Sequence, residues 1–408
     1  MRSAAMKEAG TIPIGSLVPL TGISANDGRE FQNGLQLAID EINAEGGILG
    51  KQLQPHFIDT GNQTAPAVVR AARTLISEHR VHAIINGYNI GSQNSEYEPV
   101  ADAGIIYIHH NTLLQHHDTV SSDPERYFGC FMSDPAEYWY GQGFIKFLSW
   151  LRDTGQWKPR NRRIGIISGP KPYSIVIANA MASVSAQFGW QIVQTPSIVR
   201  HITNDWRPLI ESMRSHDPAV LAVTHYHIGD LARFQLQFME APLESLVYLQ
   251  YGAMHRSFSS IVGEHARGVI VGTVIGLLHD EKGRDFASRY RQRFGADATP
   301  EIGCQPYCSL KHFAIAASVA GGTGAPGDFA INRRVARFLL EIPYRGPVGT
   351  IAYHPRWQAA VPYPDATQDP SLGMPHLFYQ LRGPDDRSAL IAPLPFADST
   401  FQLPPWMK

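Results

Sequence analysis

Polar side chains that can hold a small molecule are concentrated directly after two apolar runs of the sequence. Residues 88–93 and 109–112 carry phenol, amide, hydroxyl and imidazole groups, and each segment follows a run that predicts a buried strand. Such groups orient a small polar solute by hydrogen bonding, while aromatic rings cover it. The chemistry that this pattern indicates is recognition of a solute.

The stretch from residue 109 to residue 118 also raises the possibility of a metal site, because it contains His109, His110, His116 and His117. Imidazoles ligate zinc, nickel and copper. Adjacent side chains of an extended segment point to opposite faces, however, and no Cys or Glu at ligand spacing completes a tetrahedral site. We therefore expect one histidine to line a binding cleft, the others to be solvated, and no metal or other cofactor to be bound.

Catalytic motifs do not occur in the sequence. It contains no Gly-x-Ser-x-Gly elbow, no His-Glu-x-x-His helix and no phosphate-binding loop. The glycine-rich run at residues 321–327 follows a predicted helix instead of a strand, which disfavours a nucleotide site. We interpret Asp134 and Glu137 as a turn and a helix start rather than an acid–base pair, and we expect the protein not to be an enzyme.

Length and composition restrict the class of protein. A chain of 408 residues exceeds one ordinary core, so two domains are expected. The 36 acidic and 35 basic residues leave no basic field to attract nucleic acid or anionic lipid. No apolar run approaches the roughly 20 residues that span a bilayer, and residues 1–10 lack the apolar core of a signal peptide. The three cysteines, Cys130, Cys304 and Cys308, make no disulfide framework.

The elements that position the polar segments alternate between strand and helix. Residues 11–18 and 53–58 predict strands. Between them, Asp27 predicts the N-cap of a helix that begins near Gly28 and ends at the glycine pair 46–47. The alternation continues through the first predicted lobe and indicates a doubly wound parallel sheet. Such sheets bind ligands beyond the carboxyl ends of their strands.

The alternating pattern restarts near residue 127 and predicts a second α/β lobe over residues 128–254. Residues 268–275 again favour a strand. Two later segments, 349–353 and 376–381, are typical of antiparallel strands. Proline-rich stretches predict surface wrapping rather than further domains, at residues 361–375 and 392–405.

Three motifs of the first lobe carry a family resemblance: Pro-Leu-Thr-Gly at residues 19–22, Gly-Leu-Gln-Leu-Ala at residues 34–38 and Ile-Asn-Ala-Glu-Gly-Gly-Ile-Leu-Gly at residues 42–50. Together they resemble the opening of the type I periplasmic binding proteins, and within them the branched-chain amino acid, amide and urea receptors of ABC importers. The resemblance covers roughly residues 11–385. It implies two doubly wound α/β lobes joined by a three-strand hinge, whose closure traps a ligand.

The resemblance further implies where the chain passes between lobes. Crossings are expected near residues 127, 254 and 342. The N-terminal lobe would then comprise residues 11–127 plus 255–341, the C-terminal lobe residues 128–254 plus 342–395, and the tails residues 1–10 and 396–408.

Site residues follow from the same matching. In the family, the loops that match residues 88–93 and 109–112 hold the polar head of the ligand, and residues of the second lobe face it. The residues implied for ligand binding are Tyr88, Asn89, Ser92, Gln93, His109, His110, Asn111, Tyr138, Tyr140, Tyr173, Tyr226 and Gln250.

The implied function is that of a solute receptor, which we expect to be a monomer that closes around a small polar molecule and delivers it to the membrane permease of an ABC transporter. The alternative is a cytoplasmic ligand sensor of the same fold that controls a regulator. The receptor would be periplasmic with its signal peptide removed, whereas a chain of native length would be cytoplasmic.

The resemblance also bears on the class of ligand. In amino-acid binders of the family, the strand end near Gln250 typically supplies a carboxylate for the ligand's ammonium, and this sequence has none there. Burying an unpaired ammonium is costly. Neutral amides, ureas or small carboxylates are therefore expected instead of a standard α-amino acid. A shift of one helical turn in the matching would bring Asp134 or Glu137 to the ligand.

Overall fold

The computed structural model describes residues 10–200, 202–384 and 388–408, and the chain divides into two compact units. Unit 1 holds the described residues up to Ala136 together with Ile275–Met374. Unit 2 comprises Glu137–Val274 and the described part of Pro375–Lys408. The chain therefore passes from one unit to the other three times. Within these described ranges, no helix combines the length and the apolar character needed to cross a membrane.

Unit 1 begins with a five-stranded sheet in the order β2-β1-β3-β4-β5, in which every neighbouring pair is parallel. The strands are β1 (Ile12–Val18), β2 (Leu53–Asp59), β3 (Ala83–Ile85), β4 (Ile106–His109) and β5 (Cys130–Met132). The connecting helices are α1 (Ala25–Ala44), α2 (Ala65–Ser77), α3 (Tyr97–Ala103) and α4 (Gln115–Ser122).

Helix α1 forms because its apolar residues recur on one face. That face is buried and consists of Phe31, Leu35, Ala38, Ile39 and Ile42. The predicted end at the glycine pair is confirmed: Gly46 and Gly47 both have left-handed φ angles, and the Gly47 N–H donates to the carbonyl of Ile42.

The predicted start of α1 is wrong. The helix begins at Ala25, and its N-cap residue is Ser24, which makes no side-chain cap. Asp27 lies inside the first turn, and its carboxylate accepts a hydrogen bond from the Tyr88 hydroxyl. The local sequence pattern predicted that Asp27 caps the helix, but its carboxylate instead binds a residue 61 positions further along the chain.

Unit 2 contains an eight-stranded sheet. Its first part comprises β6 (Arg163–Ser168), β7 (Gln191–Ile192), β8 (Ser197–Ile198), β9 (Val220–Val223), β10 (Leu246–Leu249) and β11 (Ile270–Thr273), all paired in parallel. The helices are α5 (Tyr138–Asp153), α6 (Pro172–Ser185), α7 (Arg207–His216), α8 (Ile228–Glu240) and α9 (Arg256–Val262).

The chain then returns to unit 1 through α10 (Glu281–Phe294), α11 (Pro300–Ala320) and α12 (Phe329–Glu341). The short strands β12 (Tyr344–Gly346) and β13 (Gly349–Ile351) form an antiparallel hairpin, and β14 (Pro362–Tyr363) and β15 (Met374–Pro375) follow. The last strands, β16 (Leu377–Leu381) and β17 (Ser388–Ala392), extend the sheet of unit 2: β16 pairs antiparallel with β11, and β17 pairs antiparallel with β16.

The predicted crossings near residues 127, 254 and 342 need correction, because strand pairing assigns the adjoining segments differently. Strand β5 pairs with β4 and keeps the chain in unit 1 up to Ala136. Strand β11 pairs with β10 and keeps it in unit 2 up to Val274. The hairpin of β12 and β13 belongs to unit 1, which ends at Met374.

The predicted C-terminal tail, residues 396–408, also needs correction because it packs on unit 2. Gln380 and Gln402 exchange two hydrogen bonds, and the Trp406 indole N–H donates to the carbonyl of Ser245 at 2.9 Å. Of the predicted N-terminal tail, residues 1–9 lie outside the described part of the chain.

Helices α1 and α11 approach so closely that only glycine fits at their crossing. A Cβ atom at Gly34 would lie 1.9 Å from the carbonyl oxygen of Gly303. A Cβ atom at Gly303 would in turn lie 2.2 Å from the Tyr290 hydroxyl oxygen, which donates to the Glu30 carboxylate. The crossing therefore holds the returning segment of the chain against the first helix.

We predict that Gly34→Ala lowers the free energy of unfolding by at least about 1–3 kcal/mol, since the added methyl group forces the two helices apart. Urea unfolding followed by circular dichroism measures the change. Gly10→Ala is the matched control, because a Cβ atom there meets nothing within 4 Å. Equal unfolding midpoints for the two variants would contradict the close crossing.

Candidate solute-binding site

In unit 1 the sheet itself marks a place where a ligand can bind. Strand β1 has β2 on one side and β3 on the other, so the connections that leave β1 and β3 diverge. In open α/β sheets this divergence creates a crevice at the carboxyl ends of the two strands. Residues 19–24 follow β1 and residues 86–93 follow β3, which places two of the sequence-derived segments at this edge.

The loop after β1 is held by Asp59, the last residue of β2. Its carboxylate accepts hydrogen bonds from the N–H groups of Leu20 and Thr21 at 2.9 and 3.2 Å and from the Thr21 hydroxyl at 2.7 Å. Partial burial acts to raise the pKa of Asp59, but these hydrogen bonds favour the ionised form and the net pKa is lowered. The Pro-Leu-Thr-Gly motif is thus fixed by a neighbouring strand.

The loop after β3 is tied to β1 by two side-chain amides. Asn86 accepts from the Leu17 N–H at 2.7 Å, and Asn89 donates to the Leu17 carbonyl at 2.9 Å. Asn89 also accepts from the Thr60 hydroxyl, and Ser92 donates to the Asn89 carbonyl. Both Asn89 and Ser92 are fully buried. Their observed contacts therefore shape the loop.

Tyr88 and Gln93 occupy the more accessible positions of the same loop. The Tyr88 ring is half-buried and packs edge-on against Phe31 at 5.1 Å between centroids. Gln93 is exposed, has a left-handed φ of 51°, and its amide donates to the Ile90 carbonyl. These two side chains lie beyond the carboxyl ends of the strands, where open α/β sheets bind their ligands.

Asn111 connects this loop to the end of β4. Its carbonyl oxygen accepts from the Asn89 N–H at 2.7 Å, and its amide donates to Asn94 at 2.7 Å and to the Glu96 carboxyl at 3.4 Å. Burial raises the pKa of Glu96, although hydrogen bonds from Ser92 and other donors oppose the increase. Asn94 and Glu96 were not predicted. Their only sequence signal is that the polar run of residues 88–93 continues to residue 96.

The prediction that most of the histidines are solvated is wrong, since all four are buried. His109 and His116 both hydrogen-bond the Tyr97 hydroxyl. Burial and the neighbouring imidazoles hold the pKa of His109 well below its ordinary value, and burial lowers the pKa of His116 to about 3. In the part of the chain that the structure describes, no group of three or more His, Cys, Asp and Glu side chains is arranged to hold a metal ion.

His110 lies in a second buried array, with Asp134 and Ser309. Its Nδ1 is 2.9 Å from Asp134 Oδ1, and its Nε2 is 3.0 Å from Ser309 Oγ. The order of groups matches that of a hydrolytic triad, but the Ser309 hydroxyl donates to the Ser133 hydroxyl at 3.0 Å instead of to His110, so it is not activated by the imidazole. We interpret the array as structural.

Asp134 lies in a bend between β5 and α5, and Glu137 is the N-cap residue of α5, as the sequence predicted. Asp134 follows β5 at the carboxyl edge of the sheet and is 1% exposed. Burial raises its pKa, while the neighbouring His110 acts in the opposite direction. Its second oxygen, Oδ2, has no hydrogen-bond partner among the described residues. One acceptor is thus buried at this edge without compensation.

In unit 2 the corresponding divergence lies between β6 and β9, because β7 and β8 pair with the other edge of β6. Gln250 follows β10 and is fully buried. Its amide donates to the Tyr173 hydroxyl at 3.2 Å and accepts from the Tyr248 hydroxyl. The strand ends therefore bring two predicted residues together, and Tyr248 is an unpredicted member of the group.

Tyr140 extends this group. Its buried ring packs edge-on against Tyr173 and His376, with centroids 6.0 and 5.7 Å apart. Tyr138 is the first residue of α5, the helix that also contains Tyr140, and burial raises the pKa of Tyr138 to about 12. His376 was not predicted, since it comes from a segment more than 200 residues away in sequence.

Tyr226, after β9, rests on a buried ion cluster. The ring of His225 accepts from the Tyr226 N–H at 2.9 Å through Nδ1 and lies 2.9 Å from Asp230 through Nε2. Asp230 also pairs with Arg233. Tyr226 itself is half-buried, and burial together with Asp230 raises its pKa. For all twelve predicted residues, contact with a ligand stays a prediction.

Two doubly wound α/β units, each with polar side chains at the carboxyl ends of its strands, are the architecture of the type I periplasmic binding proteins. The chain belongs to the periplasmic binding protein family, whose sequence profile matches residues 11–362. The predicted family and fold class are confirmed.

Individual relatives agree with this assignment. A Leu/Ile/Val-binding protein homologue of Brucella abortus (homolog 8) is 27% identical over 245 residues, which are 59% of this chain and 58% of that protein. A solved structure of a candidate branched-chain amino acid ABC transporter from Silicibacter pomeroyi is 44% identical, with a TM-score of 0.95 over 97% of this chain and 100% of that chain. An ABC transporter substrate-binding protein from Sphaerobacter thermophilus, 19% identical, shares the fold with a TM-score of 0.78 over 96% of this chain and 100% of that chain.

We predict that stability falls as the pH is lowered from about 6.5 towards 3, in part because of His116. Its pKa is lowered from 6.5 to about 3, so over this range the unfolded chain takes up a proton there and the folded chain does not. One such proton gives a slope of about 1.4 kcal/mol per pH unit. Urea unfolding between pH 5 and 7 should show a shallower slope for His116→Gln. His265→Gln, at an exposed position, is the control, and equal slopes for wild type and His116→Gln would contradict the prediction.

Proposed function

We propose that this protein is the solute-binding receptor of an ABC importer, acting in the periplasm, where it closes around a small polar solute and delivers it to the membrane permease. The observation that carries the proposal is the pair of doubly wound units with polar carboxyl edges, in a chain of the periplasmic binding protein family. The relatives named as transporter components support the importer role. They do not favour the alternative of a cytoplasmic sensor.

The proposed solute is neutral or acidic. The β10 end carries an amide and phenols, and residues 246–254 contain no carboxylate. The nearest acid of the β9 loop, Asp230, is wholly buried and satisfied by His225 and Arg233. A ligand ammonium would therefore find no counter-charge in this part of unit 2, and leaving a buried charge unpaired costs about 3–5 kcal/mol.

One observation favours a second candidate, a branched-chain amino acid. The Oδ2 atom of Asp134 is a buried acceptor without a partner among the described residues, and an ammonium group would satisfy it. The name of the Brucella relative, a Leu/Ile/Val-binding homologue, points in the same direction. The two candidates differ in the charge that the ligand must carry.

We predict that neutral amides, ureas or small carboxylates raise the melting temperature, and that leucine, isoleucine and valine do not. A ligand at 100 times its dissociation constant stabilises the folded state by about 2.7 kcal/mol, which a thermal-shift screen detects. If only the branched-chain amino acids raise the melting temperature, and Asp134→Asn abolishes the effect, the second candidate is correct.

We further predict that Tyr226→Phe and Gln250→Ala each weaken binding of the solute found in that screen by roughly 5- to 150-fold. The loss corresponds to about 1–3 kcal/mol for a buried hydrogen-bonding group. Calorimetry measures the affinity, and circular dichroism verifies the fold. Gln187→Ala, at an exposed position of the same unit, should bind like the wild type. Unchanged affinity in both site variants would show that unit 2 contributes other residues.

A further inference from the structure

Helix α6 of unit 2 begins at the divergence between β6 and β9, and its first turn faces the carboxyl end of the sheet. The N-cap residue, Lys171, provides no side-chain cap, and the first intrahelical bond runs from the Ile175 N–H to the Lys171 carbonyl. The first turn of a helix carries a partial positive charge, because its N–H groups have no acceptor within the helix, although Pro172, the first residue of α6, has no N–H to contribute. A 14-residue helix at this position is suited to hold an anion, although a helix terminus alone does not establish a site.

The second observation is the side chain of Ser174, in the first turn of α6. Ser174 is completely buried, and its hydroxyl has no hydrogen-bond partner among the described residues. Its carbonyl, by contrast, accepts from the Thr224 hydroxyl at 2.9 Å. Since a buried hydroxyl without a partner costs about 1–3 kcal/mol, this group is suited to a partner that the chain does not supply.

The Ser174 hydroxyl is directed towards the end of β6, because helical side chains lean towards the helix N-terminus. A Cβ atom at Gly169, the residue after β6, would lie 2.9 Å from Ser174 Oγ and 3.0 Å from His225 Nδ1. Any larger residue at position 169 would crowd this hydroxyl. Gly169 thus packs closely against the Ser174 hydroxyl, at the edge of the sheet where the crevice rule places a ligand.

The charges around this turn fit an anion. The stretch from residue 164 to residue 185 contains no acidic residue, and its single cation is Lys171, at the N-cap of α6. Asp230 is neutralised by Arg233. Tyr173, the neighbour of Ser174, shares a hydrogen bond with Gln250, so the turn adjoins the predicted ligand residues of this unit.

From this geometry we propose that the first turn of α6 is a carboxylate subsite, in which the Ser174 hydroxyl, assisted by the positive end of the helix dipole, binds a carboxylate of the solute. The inference rests on the proposed receptor function and narrows its ligand class, because it selects organic acids over their neutral amides. The positive end of the helix dipole favours a charged carboxylate over a neutral amide, so the subsite discriminates by charge as well as by shape.

The test compares acids with their own neutral primary amides, as 4-methylpentanoate with 4-methylpentanamide and benzoate with benzamide. Thermal shift and calorimetry should show that the acid binds more tightly in every pair that binds. Ser174→Ala should weaken acid binding by roughly 10- to 150-fold and leave amide binding nearly unchanged. Ser185→Ala is the matched control in the same helix, since that buried hydroxyl already donates to the Met181 carbonyl.

A second variant crowds the Ser174 hydroxyl without removing a donor. Gly169→Ala should reduce acid binding because its methyl group crowds Ser174 Oγ, whereas Gly229→Ala adds a methyl group in ordinary contact and should bind like the wild type. The carboxylate subsite is overturned if no acid of the panel binds, if amides bind as tightly as their acids, or if Ser174→Ala retains full acid affinity. Binding of neutral solutes alone would leave the receptor function standing, whereas the receptor proposal fails separately if no small solute of the wider screen binds.

Discussion

The divergence of β1 and β3 in the first sheet is the constraint on which the unit 1 site depends. Their paired residues end at Gly15 and Ile84, and beyond this point the backbone of Leu17 lacks a strand partner on that side. Two side-chain amides replace it, since Asn86 binds the Leu17 N–H and Asn89 binds its carbonyl. The sheet can therefore open into a crevice without leaving buried backbone groups unsatisfied.

This substitution explains why so many polar residues at the edge are buried. Asn89, Ser92 and Asn111 form a connected hydrogen-bond network that fixes the loops after β3 and β4. A satisfied buried network is rigid, and a partly satisfied one is costly. The residues that the sequence predicts as ligand contacts therefore fall into two groups. Asn89, Ser92 and Asn111 are buried and position the loops, whereas Tyr88 and Gln93 are more accessible.

In unit 2 the strand ends are supported by other types of side chain than the asparagine amides of unit 1. The support is a buried carboxylate, Asp230, which is neutralised by Arg233 and holds His225 against the loop after β9. The neighbouring group of Gln250, Tyr173 and Tyr248 is neutral. In our proposal, the positive N-terminal end of α6 beside these neutral groups favours an uncharged or anionic solute.

Sequence alone determined the alternating elements, the glycine end of α1, the strand-end segments and the family, because periodicity, glycine conformation and motif spacing are local properties. Only the tertiary structure decided which unit β5 and β11 join, since strand pairing depends on partners distant in the chain. It likewise decided that Asp27 contacts Tyr88 and that His109 and His116 are buried beside Tyr97. It also decided that one oxygen of Asp134 and the hydroxyl of Ser174 are buried without a hydrogen-bond partner among the described residues. Burial and hydrogen-bond satisfaction are properties of the packed chain, and no local pattern in the sequence encodes them.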